Sequence, residues 1–186
     1  MPVLDHQWTR EEVLALPEDG RRYELVDGEL LVSPSPRPIH QIAVVALVYR
    51  LAQYVRENAC GLVLTSPADL DLRSGQLMQP DIFVVAPEEG RGMRTWTDVS
   101  IPLLVVEVLS ASTARYDRVT KRQRFQRSAV PTYWIVDCDA RVVEVWTPKA
   151  DRPMIASEVL VWRPDAGVEA LSIDLAAFFA EIGGER

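Results

Sequence analysis

Two carboxylates interrupt apolar segments that otherwise have the composition of buried β-strands. Asp81 stands directly before the apolar run 82–85, and Glu107 lies inside the run 103–109. A carboxylate buried without a partner is destabilising by several kcal/mol, or it loses its charge through a raised pKa. We therefore expect both acids to have a partner, for which a shared divalent metal ion is a candidate.

Alternation along the two segments gives each carboxylate a definite face of its strand. Asp81 shares a face with Phe83, and Glu107 shares a face with Val105. If the two strands are neighbours, the carboxylates lie close enough to bind one hard cation, Mg²⁺ or Mn²⁺, through oxygen. Such an ion lowers the pKa of a bound water and stabilises charge on phosphate oxygens.

A lysine on the segment after Glu107 can complete this site. Residues 115–128 are predicted to form a helix in which Asp117, Lys121 and Phe125 share one face. Because this helix directly follows the Glu107 strand, it can fold back and bring Lys121 to the end of that strand. There the ammonium group would orient a nucleophile or neutralise a transition state. The alternative is an ordinary Asp117–Lys121 ion pair on the surface.

The hydrophobic pattern predicts the elements that position these residues. A capping box at Thr9 and Glu12 starts a short helix, and Asp27-Gly28 is typical of a two-residue hairpin turn. The first predicted elements are that helix to residue 16, a hairpin over 23–32, an extended linker over 33–38 and a long helix over 39–58. Strands follow over 62–64, 68–72, 81–85 and 103–109, with a turn at 74–75 and a loop over 87–100 between them. The last elements are the helix over 115–128, strands over 132–136 and 141–146, one or two strands over 158–162 and near 171, and a short helix over 175–182. This order predicts an α/β or α+β fold, with one central mixed sheet flanked by helices and an N-terminal hairpin.

The composition is that of an ordinary globular protein. The 186 residues are 48% apolar and 25% charged, and we expect them to form a single domain, 1–186. No run reaches the roughly 18 apolar residues of a membrane span, and the N-terminus lacks a signal-peptide pattern. Cys60 and Cys138 belong to no CxxC motif or Cys/His cluster, which argues against zinc and for reduced thiols. We therefore expect a cytoplasmic protein.

The charge is acidic overall but unevenly distributed. A net charge of −7 and a pI of about 4.9 argue against a protein whose whole surface binds nucleic acid. Six of the 20 basic residues nevertheless fall within 115–127. These residues are Arg115, Arg118, Lys121, Arg122, Arg124 and Arg127. Such a stripe either contacts phosphate or forms a solvated helix face.

Six short motifs occur in an order that resembles a known bacterial family. They are Tyr-Glu-Leu-Val-Asp-Gly-Glu at 23–29, Ser-Pro-Ser-Pro at 33–36 with His40, Pro80-Asp81, Glu-Val-Leu-Ser at 107–110, Asp117 with Lys121, and Val-Pro-Thr-Tyr-Trp-Ile-Val-Asp at 130–137. Over about residues 9–179 the chain resembles the Uma-type family of proposed restriction endonucleases, which is placed in the PD-(D/E)XK nuclease superfamily. The resemblance implies a restriction-endonuclease-like fold, Mg²⁺- or Mn²⁺-dependent cleavage of DNA, and a homodimer.

The resemblance also implies roles for individual residues. Asp81 and Glu107 match the metal-binding acids, and Lys121 matches the lysine. In the superfamily that lysine usually follows the glutamate by two residues on the same strand, where this chain has Leu109. This family takes its lysine from the following helix instead. Phe125 is a second departure, because the family usually has tyrosine there.

Two further positions are candidates for the same site. Glu24 matches a patterned family position and is a candidate further acid near the metal, and a two-residue turn would pair it with Leu31. The alternative for Glu24 is a hairpin charge that faces solvent or pairs with an arginine. His40 begins the long helix and can face the site, or it can be a solvated first-turn histidine. Asp69 and Asp71 are expected on an exposed face.

Three functions are compatible with these features. The first is a metal-dependent phosphodiesterase acting on DNA through Asp81, Glu107 and Lys121. The second is a catalytically silent nuclease-fold module that acts through oligomerisation or protein binding, which the low pI and the missing strand lysine favour. The third is a carboxylate–metal enzyme for a phosphorylated metabolite, although no phosphate-binding glycine loop is present.

Overall fold

Strands and helices are mixed along the chain, which the computed structural model describes over residues 6–17, 19, 21–33, 36–72, 76–110 and 113–185. The strands are β1 (Arg22–Val26), β2 (Glu29–Ser33), β3 (Leu62–Thr65), β4 (Ile82–Val85), β5 (Leu104–Val108), β6 (Tyr133–Asp137), β7 (Val142–Trp146), β8 (Met154–Ala156), β9 (Val159–Trp162) and β10 (Leu171–Asp174). The helices are α1 (Arg10–Leu14), α2 (Pro38–Glu57), α3 (Pro87–Gly92), α4 (Ala114–Tyr116), α5 (Arg122–Arg127) and α6 (Leu175–Gly183). A π-helical turn, Asp117–Lys121, joins α4 to α5, and Trp96–Asp98 form a 3₁₀ turn.

Six strands form one mixed sheet in the order β3-β4-β5-β6-β7-β8. Strands β5 and β6 are parallel, and the other neighbouring pairs are antiparallel. The β1–β2 hairpin and the β9–β10 pair form two separate two-stranded sheets. The predicted fold, a central mixed sheet flanked by helices with an N-terminal hairpin, is confirmed.

Different elements cover the two faces of the central sheet. The helix face packs on α2 and α6, and its buried strand residues are Ile82, Val84, Leu104, Val106, Val108, Trp134 and Val136. The hairpin face is covered by Val26 of β1 and Phe125 of α5, and its strand residues include Phe83, Val85, Val105, Tyr133 and Ile135. Successive residues of β5 therefore alternate between an α-helical layer and the hairpin layer.

The N-terminal hairpin has the predicted register. Val26 pairs with Glu29, and Glu24 pairs with Leu31. Asp27 and Gly28 both have positive φ, 57° and 81°, which a primed two-residue turn requires and which glycine adopts without strain. The hairpin is joined to the rest of the fold through a backbone bridge between Leu25 and Leu77.

Several predicted elements differ from the observed ones. The segment 68–72 does not form the predicted strand and contributes only one isolated bridge, between Leu70 and Met78. The segment 87–100 was predicted as a loop, but Pro87 at the first helical position, followed by two acidic residues, starts the helix α3. Strand β8 was not predicted because it is three residues long and lies at the sheet edge. The turn at 74–75 and residues 34 and 35 of the linker lie outside the described residues.

Two expectations from composition concern membranes and thiols. Among the described residues, no helix combines the length and apolar composition that a bilayer span requires. Cys60 and Cys138 are free and half-buried. Burial raises the pKa of the Cys138 thiol to about 11, which keeps it protonated at neutral pH.

Candidate active site

Asp81 and Glu107 face each other across two neighbouring strands. The antiparallel register pairs Ile82 with Val106, so Asp81, one residue before β4, lies opposite Glu107. Both side chains are buried, with 5% and 2% of their surface exposed. The prediction that the two strands are neighbours is therefore confirmed, and the two acids meet on the hairpin face.

Asp81 is held as an anion by three donors. Its Oδ2 accepts a 2.8 Å hydrogen bond from the Val108 backbone N–H and lies 3.1 Å from Nε2 of His40. Its Oδ1 accepts a 2.8 Å hydrogen bond from Arg22. Burial raises the pKa of Asp81, but His40, Arg22 and the Val108 N–H together outweigh burial and bring the pKa well below its ordinary value.

Lys121 lies among three other carboxylates. Its Nζ is 2.8 Å from Oε1 of Glu107, 2.9 Å from Oε1 of Glu24 and 3.6 Å from Oδ1 of Asp117. Burial lowers the pKa of Lys121, but these acids outweigh it and raise the pKa above its ordinary value. Burial raises the pKa of Glu107 well above its ordinary value, and the charges of Asp81 and Asp117 add to this, although Lys121 lowers it. Lys121 is therefore a permanent cation.

A π-helical turn brings Lys121 to the strand. The Arg122 N–H bonds to the Asp117 carbonyl, five residues back, and this carbonyl also accepts a 3.2 Å hydrogen bond from the Tyr133 hydroxyl. Asp117, Lys121 and Phe125 are all buried, so the predicted shared helix face is confirmed. The alternative of a surface Asp117–Lys121 pair is wrong, because each side chain is only 2% exposed. Single π-turns inside helices are frequent at functional sites.

Glu24 comes from the hairpin and is completely buried. Its Oε1 accepts a 2.8 Å hydrogen bond from the Gln79 backbone N–H in addition to the contact with Lys121. Its Oε2 lies 3.4 Å from Nε of Arg22. The structure therefore places Glu24 in the cluster and also pairs it with an arginine, whereas the solvent-facing alternative is wrong.

His40 lies in the first turn of α2, which begins at Pro38. Its side chain is 9% exposed and points at Asp81. The alternative of a solvated histidine is therefore wrong. Asp69 and Asp71 stay outside the cluster and contact Gln79 and Arg10 respectively. Both are half-buried, so the expectation of an exposed face is wrong.

Sequence reasoning did not assign Arg22 and Asp117 to the site. Arg22 contacts Asp81, Glu24 and Glu107 through three different nitrogen atoms. Strand alternation could have found Arg22, because it precedes Glu24 by two residues on β1 and therefore shares its face. The corresponding signal for Asp117 is its position four residues before Lys121, on the helix face and in the family motif that the two residues share.

The cluster forms the floor of a cleft of about 430 Å³. Hydroxyl groups line its wall alongside the charged residues, from Ser33, Ser66, Ser110 and Thr113. The cleft therefore presents carboxylate oxygens on its floor and hydroxyl groups on its wall, of which the Ser66 hydroxyl donates to the Pro80 carbonyl and the Ser110 and Thr113 hydroxyls contact each other.

Most basic residues of the helix after β5 contact acidic or aromatic side chains of the protein. Arg118 contacts Glu144 at 2.6 Å and Asp137 at 2.8 Å, and Arg122 stacks over the ring of Trp146. Arg124 bonds to Asp27, and Lys121 lies in the acidic cluster. Only Arg115 and Arg127 of the six are exposed. The interpretation as a solvated face is therefore wrong for Lys121, which is buried, whereas Arg118, Arg122 and Arg124 are partly exposed and contact other side chains.

The donor set fits a divalent metal ion. Four buried carboxylates (Glu24, Asp81, Glu107 and Asp117) surround the buried Lys121 and the half-buried Arg22, so four negative and two positive charges leave a formal charge of −2. No group of three or more His, Cys, Asp or Glu side chains in the described ranges is arranged as a complete metal-binding set. Two oxygen ligands with the remaining positions left to water and phosphate are the usual arrangement for Mg²⁺. Asp81 and Glu107 fit that arrangement.

Comparisons with known proteins agree with this fold. The structure is similar to a crystal structure described as a putative nuclease belonging to DUF820 from Anabaena variabilis ATCC 29413, with a TM-score of 0.78 and 16% sequence identity. The alignment covers 94% of this chain and 99% of that one, and at this identity it shows the shared fold alone. No curated protein matches the sequence significantly. Residues 10–176 match the model of the family Uma2, described as "Putative restriction endonuclease", and the chain therefore belongs to the Uma2 family.

Proposed function

We propose that this protein is a divalent-metal-dependent endonuclease that hydrolyses phosphodiester bonds in DNA. The observation that carries the proposal is the pair Asp81 and Glu107, opposed on neighbouring strands, with the Lys121 ammonium 2.8 Å from Glu107 at the floor of a cleft. Membership of a family of restriction-endonuclease type supports a nuclease. A metal site made by paired acids supports hydrolysis of a phosphate ester.

Asp81 and Glu107 would hold the metal ion, Mg²⁺ or Mn²⁺, and Glu24 is the nearest further acid. When bound, such an ion supplies a water of lowered pKa and stabilises negative charge on phosphate oxygens. Asp81 is prepared for this role because it stays ionised while it is buried. Glu107 is the member of the pair that takes up a proton when no cation balances it, because its pKa is raised.

Lys121 acts through its positive charge. A group whose pKa is raised further above that of an ordinary lysine does not accept a proton at neutral pH, so Lys121 is not a general base. A fixed ammonium in a buried site stabilises charge that develops on the phosphate, which is where preorganised cations are most effective. Leu109, at the position where the superfamily usually has its lysine, packs in the apolar core of the hairpin face. The helix lysine therefore replaces the strand lysine.

His40 would position Asp81. Its Nε2 lies 3.1 Å from Oδ2, the oxygen that also accepts the Val108 N–H. These two contacts hold one carboxylate oxygen and leave the other, Oδ1, directed at the centre of the cluster. Groups that orient a metal ligand in this way tune its affinity for the ion.

The test is a cleavage assay on supercoiled, linear duplex and single-stranded DNA with Mg²⁺ or Mn²⁺. We expect cleavage by the wild type that chelation of the metal abolishes, and an Asp81→Asn variant reduced on the order of 10³-fold. Asp139→Asn is the matched control, because Asp139 is exposed and pairs with Arg37 on the surface. Undiminished metal-dependent cleavage by Asp81→Asn would contradict the proposal.

A second candidate is a nuclease-fold module without catalysis that acts as a homodimer. One observation favours it: α2 carries exposed apolar side chains at Ile42, Val45 and Tyr49, which line a groove of about 560 Å³. Light scattering would show a stable dimer that Val45→Asp dissociates, together with no cleavage of any DNA form. Cleavage by the wild type would exclude this candidate as the whole function.

A further inference from the structure

The guanidinium group of Arg22 lies at the centre of three carboxylates. Its NH1 is 2.8 Å from Oδ1 of Asp81, its Nε is 3.4 Å from Oε2 of Glu24, and its NH2 is 3.8 Å from Oε2 of Glu107. Each acid comes from a different part of the fold, namely the segment before β4, the hairpin and β5. We call the three oxygens that face Arg22 the carboxylate cup.

The other oxygen of each carboxylate is already held by a different group. The partners are the Val108 N–H and His40 for Asp81, the Gln79 N–H and Lys121 for Glu24, and Lys121 for Glu107. The cup is therefore a separate set of three oxygens spaced around the guanidinium, and with Arg22 in place these acids are not arranged as a complete metal-binding set. The donor type, oxygen from three carboxylates, is the one that hard divalent ions prefer.

Arg22 fits the cup poorly. Arginine commonly binds a carboxylate through two parallel hydrogen bonds, but here only the contact with Asp81 is a full hydrogen bond. Among the described residues, the buried Nε and NH2 of Arg22 and Oε2 of Glu24 have no hydrogen-bond partner. Charge attraction to the three acids, with one hydrogen bond to Asp81, therefore holds the guanidinium in place.

The side chain of Arg22 is also partly exposed to solvent. Its side chain is 23% exposed and forms part of the cleft wall, whereas Lys121 is enclosed at 2%. The Arg22 side chain therefore borders solvent, whereas the Lys121 side chain does not.

We propose that Arg22 occupies the carboxylate cup when no metal is present, and that a divalent ion binds by displacing it. The inference rests on the proposed metal-dependent function, and it adds Glu24 as a third oxygen donor and Arg22 as a competitor that weakens metal affinity. Two cations within about 4 Å repel each other strongly in a buried site, so the guanidinium and the ion cannot share the cup. Glu24, Asp81 and Glu107 face one cation in each state, namely the guanidinium without metal and the divalent ion with it.

Calorimetric titration with Mn²⁺, in the absence of DNA, tests this directly. Arg22→Gln should bind Mn²⁺ on the order of tenfold more tightly than the wild type, a usual size for coupling between two binding events. Arg141→Gln is the matched control, because it removes the same charge from a surface arginine outside the cleft, whose side chain is 51% exposed and pairs with Glu185. Its Mn²⁺ affinity should equal that of the wild type.

The outcomes separate the inference from the proposed function. If the wild type binds Mn²⁺ and Arg22→Gln binds no more tightly, Arg22 is not a competitor, while the metal site stands. An equal gain in Arg141→Gln also overturns the role of Arg22, because the general surface charge then explains the gain in affinity. If neither the wild type nor Arg22→Gln binds Mn²⁺, both the metal site and the competition are wrong.

A second measurement uses the wild-type side chain, in case Arg22→Gln does not fold. The Nε–H resonance of Arg22, identified by its loss in Arg22→Lys, should move during a Mg²⁺ titration with the same midpoint as the Val108 amide. The Val108 amide is a suitable reporter because it donates to Asp81. A Val108 shift that saturates while the Arg22 resonance stays unchanged would overturn the displacement.

Discussion

The two faces of strand β5 are equally buried but differ completely in chemistry. On the helix face, Leu104 and Val106 are fully buried among apolar side chains of α2 and α6. On the hairpin face of the same strand, Glu107 is 2% exposed among three further carboxylates and two cations. Burial alone therefore does not tell a packing residue from a site residue in this protein, whereas the balance of buried charge does.

The difference in chemistry is also a difference in stability. Replacing a buried ionic cluster by apolar residues of similar volume is often neutral or stabilising. With every acid ionised, the hairpin face nevertheless carries two more negative charges than Arg22 and Lys121 balance, and burial raises the pKa of Glu107 and Asp117. A fold that retains such a cluster gains little stability from it, so its presence on one face of β5 points to function.

Removal of Lys121 should have the largest effect. We expect Lys121→Met to destabilise the metal-free protein by about 3–5 kcal/mol, because Glu24, Glu107 and Asp117 lose their shared cation. Thermal unfolding with and without Mg²⁺ measures this, and Mg²⁺ should recover part of the loss because it binds the folded state. A variant as stable as the wild type would show that the cluster does not depend on this ammonium.

On the helix face, Leu104→Ala should act through packing alone. Leu104 is completely buried, and truncation of a buried leucine costs about 2–5 kcal/mol through lost contacts and a residual cavity. For a chain of this length that is a fall of roughly 2–4 °C in Tm for each kcal/mol. Mg²⁺ should raise the Tm of Leu104→Ala by the same amount as that of the wild type. A selective rescue by Mg²⁺ would mean that the two faces are not independent.

His40 offers a smaller change on the hairpin face. We expect His40→Ala to destabilise by about 1.5–3 kcal/mol, because a buried carboxylate loses a hydrogen-bonding partner. The affinity for Mn²⁺ should fall about 10–100-fold, as when a group that orients a metal ligand is removed. His6→Ala, at an exposed histidine that lies near Glu12, is the control for calorimetry. Equal Mn²⁺ affinity in both variants would remove His40 from the site.

Local signals in the sequence predicted much of the fold and part of the site. The Asp27-Gly28 turn determined the hairpin register, and strand alternation put Asp81 and Glu107 on faces that do meet. The position of Lys121 followed from helix periodicity together with its place after β5. These predictions succeeded because each depends on a short period or on one connection between neighbouring elements.

The features that the sequence did not predict depend on contacts between segments that lie far apart in the chain. The burial of Glu24 arises because the hairpin bridges to Leu77, some fifty positions away in sequence, and no periodicity encodes that contact. Arg22 joins the cluster for the same reason. The π-turn at Asp117–Lys121 has no residue signature, and it reflects the pairing of its side chains with the strand. The ion pairs of Arg118 with Asp137 and of Arg124 with Asp27 likewise depend on contacts between different elements of the fold.

The smallest effect, a pH dependence, tests the charge imbalance itself. Burial raises the pKa of Glu107 above its ordinary value of 4.5 in the folded state, so the folded protein binds a proton more tightly than the unfolded chain does. The stability from this group is fully present below about pH 4.5 and is lost as pH rises through the folded pKa. Denaturant unfolding of the metal-free protein should therefore show stability that falls with pH, by at most about 1.4 kcal/mol per pH unit for one proton.

Glu107→Gln is the matched variant for that measurement, because glutamine stays neutral at every pH. Its stability should fall less steeply above pH 4.5, with the remaining slope due to Asp117, whose pKa burial also raises. Asp81 contributes in the opposite direction, since its lowered pKa gives stability that is lost only as pH falls below the ordinary aspartate range. Saturating Mg²⁺ should flatten the wild-type curve, because the ion favours ionised Glu107. Identical slopes for the wild type and Glu107→Gln would show that Glu107 is already balanced by Lys121 and Arg22, and the contrast between the two faces of β5 would then be one of polarity without unbalanced charge.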